Sequence, residues 1–459
     1  MRRISVALAI LLACFAQVAS AEAPTCFDSS ATYIPLGDSL GDIVSSDFDH
    51  DGYVDFAMPL FGHDSVCVVF GDSIGAYSRS VRIAVGDGPR SMCVIDANGD
   101  SFDDLAVVHQ FSQQLKILRN TGSTFYVDKT YDAGGPSPWT VIAAQIDTNS
   151  SPDILLVCYD IGLLELFRNQ STTQQVSFAP DSIGMYWRGQ ALAAGDFDGD
   201  GDQDVAVSLD YEHRYYRIQF FKNDNGYLHN ELVTQKNFIG YDPRELWAGD
   251  FDGDGDIDLV AGNADVDAVS VLLNDGAETV WSDSGWTIHG YYGAGDDPAH
   301  ICVADLTGDG NLDLATADWK DDKIAIFAGV GDGTLAVPIF YPAGDHPNGI
   351  VAADVDGDGN LDLATANHFG FDFSIHYNGG PCACDCPYQG DFDGNGYIDA
   401  LDLNALIEVL FFGGPEPSDP YCGVSRGDLN DDGYPDGLDL NYLIDYLNFG
   451  GPAPLDPCD

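Results

Sequence analysis

Aspartate recurs along this chain at a spacing that suits a hard cation. Residues 196–204 read DFDGDGDQD and 250–258 read DFDGDGDID, with related segments DFDHDGYVD at 47–55 and DVDGDGNLD at 354–362. In D-x-D-x-D-G-x-x-D, side chains at positions 1, 3 and 5 point inward, and Gly at position 6 allows a sharp reversal. Position 7 offers its carbonyl, and position 9 returns another carboxylate. Four carboxylates held together repel one another without a cation and are drawn together by one. Oxygen ligands in a flexible ring suit Ca2+ better than Mg2+, which demands a stricter octahedron. An Asp-Gly turn alone explains DG pairs, but not Asp at all four spaced positions in copy after copy.

Four loops are complete: Asp47/Asp49/Asp51/Asp55, Asp196/Asp198/Asp200/Asp204, Asp250/Asp252/Asp254/Asp258 and Asp354/Asp356/Asp358/Asp362. A fifth, Asp96/Asn98/Asp100/Asp104, has an amide at position 3 and Ser101 where Gly belongs, so weaker binding is expected. A sixth, Asp305/Thr307/Asp309/Asp313, keeps three carboxylates and needs a water. A further copy, DTNSSPD from Asp147, reads as two residues short with Pro152 before Asp153, and its metal is expected to be lost. About six metal sites follow for this region. The charge balance agrees, with 74 acidic residues against 18 basic ones and a formal charge of -56. Such a field repels nucleic acid and anionic membranes, and it destabilises a compact state unless cations compensate.

The acidic segments must be positioned by a repeat. Their first Asp residues, Asp47, Asp96, Asp147, Asp196, Asp250, Asp305 and Asp354, are separated by 49, 51, 49, 54, 55 and 49 residues. A Gly stands ten residues ahead of the marker in five units (Gly37, Gly86, Gly240, Gly295, Gly344). In the last complete copy, NGIVAAD and LDLATAN flank the loop as β-favouring runs, and KIAIFAG, a Gly-rich turn and VPIFYPAG mark two more strands of the unit. Seven four-stranded units over residues 25–380 predict a mainly β fold, a seven-bladed β-propeller. A row of sandwich domains would need longer units. The seventh unit lacks a last strand, which residues 31–37 can supply, so the ring should close by a latch. Cys26 beside that latch is a candidate partner of Cys382 or Cys384.

With loops and strands in this order, residues 25–380 resemble the FG-GAP/VCBS repeats of integrin-α-type propellers. The resemblance implies a calcium loop between strands 1 and 2 of every blade, with a structural role for the ion. It is nearly silent about a ligand. Connectors entering strand 1 should lie on the face opposite the loops, near the central channel. Arg90, Trp139, Trp187, Arg244, His300 and His346 occupy such connectors. Aromatic rings with scattered cations could grip sugars or anionic polysaccharide groups; ordinary connector packing is the plainer reading of each.

Two further loops follow, DFDGNGYIDALD at 391–402 and DLNDDGYPDGLD at 428–439, each leading into an apolar helical pattern and FGGPxPxDP. This duplicated loop and helix, about 387–459, resembles a type I dockerin, a small α-helical calcium domain. The resemblance makes Asp391, Asp393, Asn395, Asp399 and Asp402 the side-chain ligands of one Ca2+, with Tyr397 giving a carbonyl. Asp428, Asn430, Asp432, Asp436 and Asp439 would hold a second, with Tyr434 in the carbonyl role. Dockerins dock onto cohesins or other cell-surface proteins, often through hydroxyl residues at positions 10 and 11, where this chain has Ala400-Leu401 and Gly437-Leu438. An internal cap on the propeller is the alternative.

The first 21 residues, with Arg2 and Arg3, an apolar stretch and Ala19-Ser20-Ala21, form a signal peptide pattern, so a secreted protein is expected; LLAC ending at Cys14 offers lipid attachment as an alternative. No other segment is long and apolar enough to span a membrane. Ten cysteines remain, five of them after residue 380, where disulfides are expected. No nucleophile elbow or H-E-x-x-H motif is present. A non-catalytic binding or display module is therefore expected, with a polysaccharide lyase or hydrolase on the same fold as the alternative.

Overall fold

Short apolar runs separated by Asp-Gly turns fold into a ring of seven four-stranded antiparallel sheets in the computed structural model. The structure describes residues 25–28, 31–73, 75–122, 124–211, 215–233, 242–276, 280–282 and 284–381. The expected signal peptide, the cysteines considered as partners of Cys26, and the whole module at 387–459 lie outside the described residues. The blades run 44–84, 89–132, 138–184, 188–233, 243–293 and 298–342, and the seventh combines 347–376 with 32–35. Thr32 pairs with Ile375 and Pro35 with Asp372, so the first of these segments supplies the last blade's outer strand. Among the described residues Cys67, Cys93, Cys158 and Cys302 are free thiols.

Each strand's composition follows its depth in the blade. Second and third strands are sandwiched between neighbouring sheets, and Asp55–Leu60 and Ala268–Asn274 are buried throughout. Fourth strands alternate, as in Trp286–Gly293, because only one face meets protein. The apolar core lies between blades. Phe56 and Met58 of blade 1 pack with Phe373 and Ile375 of blade 7, across the point of closure. Phe220 of blade 4 stacks on Trp286 of blade 5 at 4.9 Å. Burying each such ring contributes roughly 1.5–3 kcal/mol.

Polar bonds fix blade order where packing alone would tolerate sliding. Asn120, Asn169, Asn223, Asn274 and Asn378 close the third strands of blades 2, 3, 4, 5 and 7. Each donates its side-chain N–H to a carbonyl of the preceding blade: Phe48 (2.7 Å), Ala97 (3.1 Å), Ile146 (2.7 Å), Phe197 (2.8 Å) and Leu306 (2.9 Å). Blades 1 and 6 have Gly71 and Gly329 there, and a Cβ would come within 2.4 Å of Val54 O and 2.0 Å of Leu312 O. Asn274→Ala strips a donor from two carbonyls, those of Phe197 and Ile257. It is expected to lower unfolding free energy by about 2 kcal/mol; an unshifted urea midpoint would refute the inter-blade role.

Candidate metal centres and the connector face

Every acidic loop joins the first strand of a blade to its second, at one end of the ring. Position 1 organises the loop by accepting backbone N–H bonds: Asp47 from Asp51 (3.0 Å) and Gly52 (2.9 Å), Asp196 from Asp200 (3.0 Å) and Gly201 (2.9 Å), Asp354 from Gly357 (2.8 Å) and Gly359 (3.1 Å). The reversal puts position 6 in the left-handed region, at φ 90° for Gly52 and 94° for Gly359; Ser101 adopts 72° in blade 2 and bears the strain a Cβ brings there. Position 2 is apolar and buried in all blades: Phe48, Ala97, Ile146, Phe197, Phe251, Leu306 and Val355.

Three carboxylate oxygens lie within 4.8 Å of one another in Asp47/Asp49/Asp55, Asp196/Asp198/Asp204, Asp250/Asp252/Asp254 and Asp354/Asp356/Asp362. These are the four loops whose Asp pattern is unbroken. At position 3, Asp49 Oδ1, Asp198 Oδ1 and Thr307 Oγ1 are buried oxygens with no hydrogen-bond partner. Buried acceptors without donors, gathered among hard oxygens, fit a calcium ion.

About six sites were expected, and among the described residues three carboxylates gather in four of those loops. Among the described residues the loops of blades 2 and 6 bring no three carboxylates together in this way. In blade 2, Asn98 spends both ends of its amide inside the loop: Nδ2 donates to Asp100 at 2.9 Å, and Oδ1 accepts the Asp100 N–H at 3.2 Å. Asn98 therefore ties down a neighbouring acid instead of offering its oxygen to the loop centre. Asp96 meanwhile accepts the N–H groups of Gly99 (2.8 Å) and Ser101 (3.0 Å). In blade 6, Asp305 accepts those of Gly308 (2.7 Å) and Gly310 (3.0 Å), while Asp309 at position 5 accepts the backbone N–H of Asn311 (2.6 Å) and its side-chain amide (3.2 Å). Asp358 in blade 7 repeats that arrangement with Asn360, at 2.8 and 2.9 Å. Asp51, Asp200 and Asp358 also stand outside the three-oxygen groups of their loops, whereas Asp254 joins its group in place of Asp258. An amide at position 7 thus supplies N–H donors to the position-5 carboxylates Asp309 and Asp358.

Position 9 does double work. Asp55, Asp104, Asp153, Asp204, Asp258, Asp313 and Asp362 are wholly buried. One oxygen of Asp258 accepts the N–H of Phe251 (2.8 Å) and the other that of Asn274 (2.8 Å), and the other blades repeat this pair of bonds. Burial, opposed by those N–H donors, pushes the carboxyls up to about 7 at Asp55, Asp104, Asp204 and Asp258 and to about 6 at Asp313 and Asp362.

Blade 3 corrects the sequence alignment. Ala144 pairs with Asp153 as Ile95 pairs with Asp104, so position 1 is Gln145 and Asp147 stands at position 3. The loop is full length, not two residues short: Gln145, Asp147, Asn149 and Asp153 occupy positions 1, 3, 5 and 9. Gln145 Nε2 donates to the carbonyls of Asp147 (2.7 Å) and Asn149. An amide –NH2 thus holds the loop where a cation would. The apolar residue at position 2, here Ile146, is the signal that identifies Gln145. Counting from it also adds Gly135 to the glycines ten residues upstream.

Basic side chains enter other loops, which sequence spacing did not show. Lys222 of blade 4 bonds Asp198 and, at 2.9 Å, Asp200, while Trp281 of blade 5 donates to Asp198 at 3.1 Å. Arg119 bonds Asp100 at 3.1 Å in blade 2 and Arg79 bonds Asp49 at 2.7 Å in blade 1.

Comparison with known proteins identifies the repeat and the C-terminal domain. The FG-GAP-like repeat family matches residues 146–207, 250–316 and 305–365, the FG-GAP repeat matches 188–229, and the dockerin type I domain matches 389–448. The chain carries FG-GAP repeats and a C-terminal type I dockerin domain. The lead-soaked crystal structure of BBS1N in complex with ARL6DN is similar in fold at TM-score 0.52 and 11% identity, over 79% of this chain and 98% of that one. Kuenenia stuttgartiensis hydrazine synthase is similar at TM-score 0.51 and 12% identity, over 79% and 97%. A search of curated proteins returns no match. At such identities the solved structures report the fold alone.

In the FG-GAP propeller the connector residues fall into a common register. Six residues before position 1 stand Gly41, Arg90, Trp139, Gln190, Arg244, Ala299 and Asn348. From blade 2 onward the pairing of first and second strands is irregular at that point, as between Pro89 and Ser91 or Pro243 and Glu245. Such bulges re-aim side chains. The Arg90 guanidinium lies over the Trp139 ring, 3.4 Å from its centroid. Arg244 pairs with Asp242 (3.0 Å) and Asp297 (2.8 Å). One residue on, His300 Nε2 lies 3.6 Å from Asp42 of blade 1 and 3.7 Å from Glu245 of blade 5. Blades 1 and 5 are not neighbours, so that meeting takes place at the ring axis.

Trp187 and His346 sit apart from this group. Trp187 is 5.9 Å from Tyr186, and His346 packs with Trp319 (5.0 Å) and Phe369 (4.8 Å). Asp322, Asp345 and His346 also gather within 4.8 Å. There Asp322 caps the His346 N–H at 2.9 Å as Asp267 caps that of Asp297 at 3.0 Å, which is a repeated turn device.

Two outcomes are expected. Lys222→Met should tighten calcium binding in the blade 4 loop by about tenfold by removing an internal competitor; calorimetric titration showing unchanged affinity would sink the tethered-cation reading. In chelated protein the position-9 carboxyls keep protons that the unfolded chain, with carboxyls near 3.9, has released. Stability should therefore fall as pH rises from about 4 to about 7. The buried His109 and His376, pushed down to about 4 chiefly by burial, act in the opposite sense but are two against seven. Urea midpoints measured with chelator should decline over that window and recover with calcium; a midpoint that rises with pH in chelator contradicts this.

Proposed function

We propose that this chain is a secreted, non-catalytic ligand-binding propeller that calcium stiffens and that its dockerin attaches to a cohesin-bearing assembly. The dockerin match supports a cellulosome-type module, and the acidic clusters with their unpartnered position-3 oxygens support calcium. One observation carries the binding role. The face opposite the metal loops carries exposed rings from several blades, Phe111 (55% exposed), Tyr186 (63%) and Phe369 (49%), with the half-buried Trp187 and Trp319 packed against Tyr186 and Phe369. Monomeric surfaces rarely concentrate rings in this way without a partner, and flat rings suit the C–H face of a sugar. The loop face would then be structural and the connector face would meet the ligand.

Glu245 and His300 at the axis favour a second reading, a polysaccharide lyase delivered by the dockerin. A polysaccharide panel scored for retention and for new reducing or unsaturated ends separates the two, because a binding module retains glycan and releases nothing. For the dockerin, full-length protein should be held by immobilised cohesin in calcium and released by chelator. Asp402→Ala with Asp439→Ala should abolish retention without lowering the propeller's melting temperature. Retention that survives chelation would overturn the calcium-dependent docking.

A further inference from the structure

In a chain with 74 acidic residues, one guanidinium at the axis stands outside every ion pair among the described residues, with Asp42 as its nearest acid influence. Among the described residues Arg90 makes no ion pair, and its side-chain hydrogen bond to Gln110 is long, 3.5 Å. Stacking over Trp139 fixes the guanidinium plane and leaves its N–H edge for a planar, two-oxygen acceptor. Burial, and then the charge of Arg244, lower its pKa to about 10 against the opposing pull of Asp42, so Arg90 stays charged at neutral pH without a direct ion pair.

The neighbouring groups ask for something other than charge. Asp42 is already committed: Oδ1 accepts the Ile43 N–H (2.8 Å), and Oδ2 accepts the Ser91 hydroxyl (3.1 Å) and the Met92 N–H (3.3 Å). Among the described residues, Glu245 faces His300 at 3.7 Å, with the Asp42 carboxylate also near it. His300 Nδ1 is buried with no hydrogen-bond partner. Burial pushes Glu245 up to about 7, so its carboxyl can donate as well as accept near neutral pH. Arg90, Glu245 and His300 all have Asp42 as a neighbour, and a fixed guanidinium fork, a carboxyl and an unused imidazole nitrogen around that point complement a ligand that carries one carboxylate and adjacent hydroxyls.

We propose that Arg90, Glu245 and His300 form a seat in the axial channel for an acidic sugar, a pyranose bearing a carboxylate. Arg90 takes the carboxylate in a two-bond fork, and Glu245 and His300 take ring hydroxyls. A simple carboxylic acid or an acidic peptide would satisfy Arg90 but leave the other two groups unpaired. This deepens the connector-face reading and rests on it.

The test is calorimetric titration of calcium-loaded, full-length protein with a galacturonate trisaccharide, its methyl ester, the neutral galactose trisaccharide and acetate. The acid sugar should bind, and esterification should weaken it about tenfold or more by removing the charge-assisted fork. Arg90→Gln should lose the same factor for the acid sugar alone, and Arg90→Lys, a charge without the fork, should fall between. If Arg90→Gln lowers the melting temperature, Glu245→Gln carries the test, weakening the acid sugar while leaving acetate unchanged. Acetate binding as tightly as the acid sugar overturns the sugar assignment. Neutral and acidic sugars binding alike, unaffected by Arg90→Gln, leave the connector face standing and remove the seat. No binding by any sugar removes both.

Discussion

A carboxylate buried at the foot of every second strand holds each blade together. Asp258 and its six counterparts are out of solvent, yet each accepts backbone N–H bonds from two directions, the start of its own loop and the end of its own third strand. An apolar residue there would leave those donors buried and unpaired, a cost larger than one ordinary hydrogen bond returns. Where the third strand ends in Asn, the same corner reaches the preceding blade, so one acid anchors a loop, a hairpin and an inter-blade bond. Burying a carboxylate beside three more is unfavourable unless positive charge approaches, and the loop around it is shaped to receive that charge.

The blades meet this electrostatic demand in different ways. Among the described residues, blades 5 and 7 bring no basic side chain into their loops, and in blades 6 and 7 Asn311 and Asn360 lend amide N–H groups to Asp309 and Asp358. Blade 4 points Lys222 into its loop, and blades 1 and 2 point Arg79 and Arg119. Blade 3 has dropped the acid at position 1 and closes its loop with the Gln145 amide. A chain of formal charge -56 thus spends some of its few cations on its own loops. Calcium dependence should be uneven around the ring, with the blades that carry tethered groups less sensitive to its loss.

Stiffness at one end frees the other. Because loops and buried acids define the blades, the connectors on the opposite face can vary, and there the repeat changes residue at every blade. From blade 2 onward, the bulge six residues before the loop turns those varied side chains inward or toward the next blade. Arg90, Trp139 and Arg244 share that register, and His300 follows one step on. Trp187 and His346 belong to the rim instead, since they precede the bulge and pack with connector neighbours.

Seven blades, a latch from residues 31–37 and four complete acidic loops were legible in the sequence because each rests on local spacing: a fifty-residue repeat, alternating apolar runs and Asp at fixed offsets. The dockerin domain was legible from its duplicated pattern. Spacing did not show the amide bonds that Asn98, Asp309 and Asp358 make within their loops. Blade 3 was misaligned because an acid marks a loop less reliably than its buried position-2 residue, and only strand pairing exposed the two-residue offset at Gln145. Tertiary structure alone decided which distant groups meet. Lys222 with Asp198, and Asp42, Glu245 and His300 at the axis, come from strands or blades far apart in the chain. Local spacing encodes a residue's depth and face within a blade, but closing the ring decides which blades face one another across the channel.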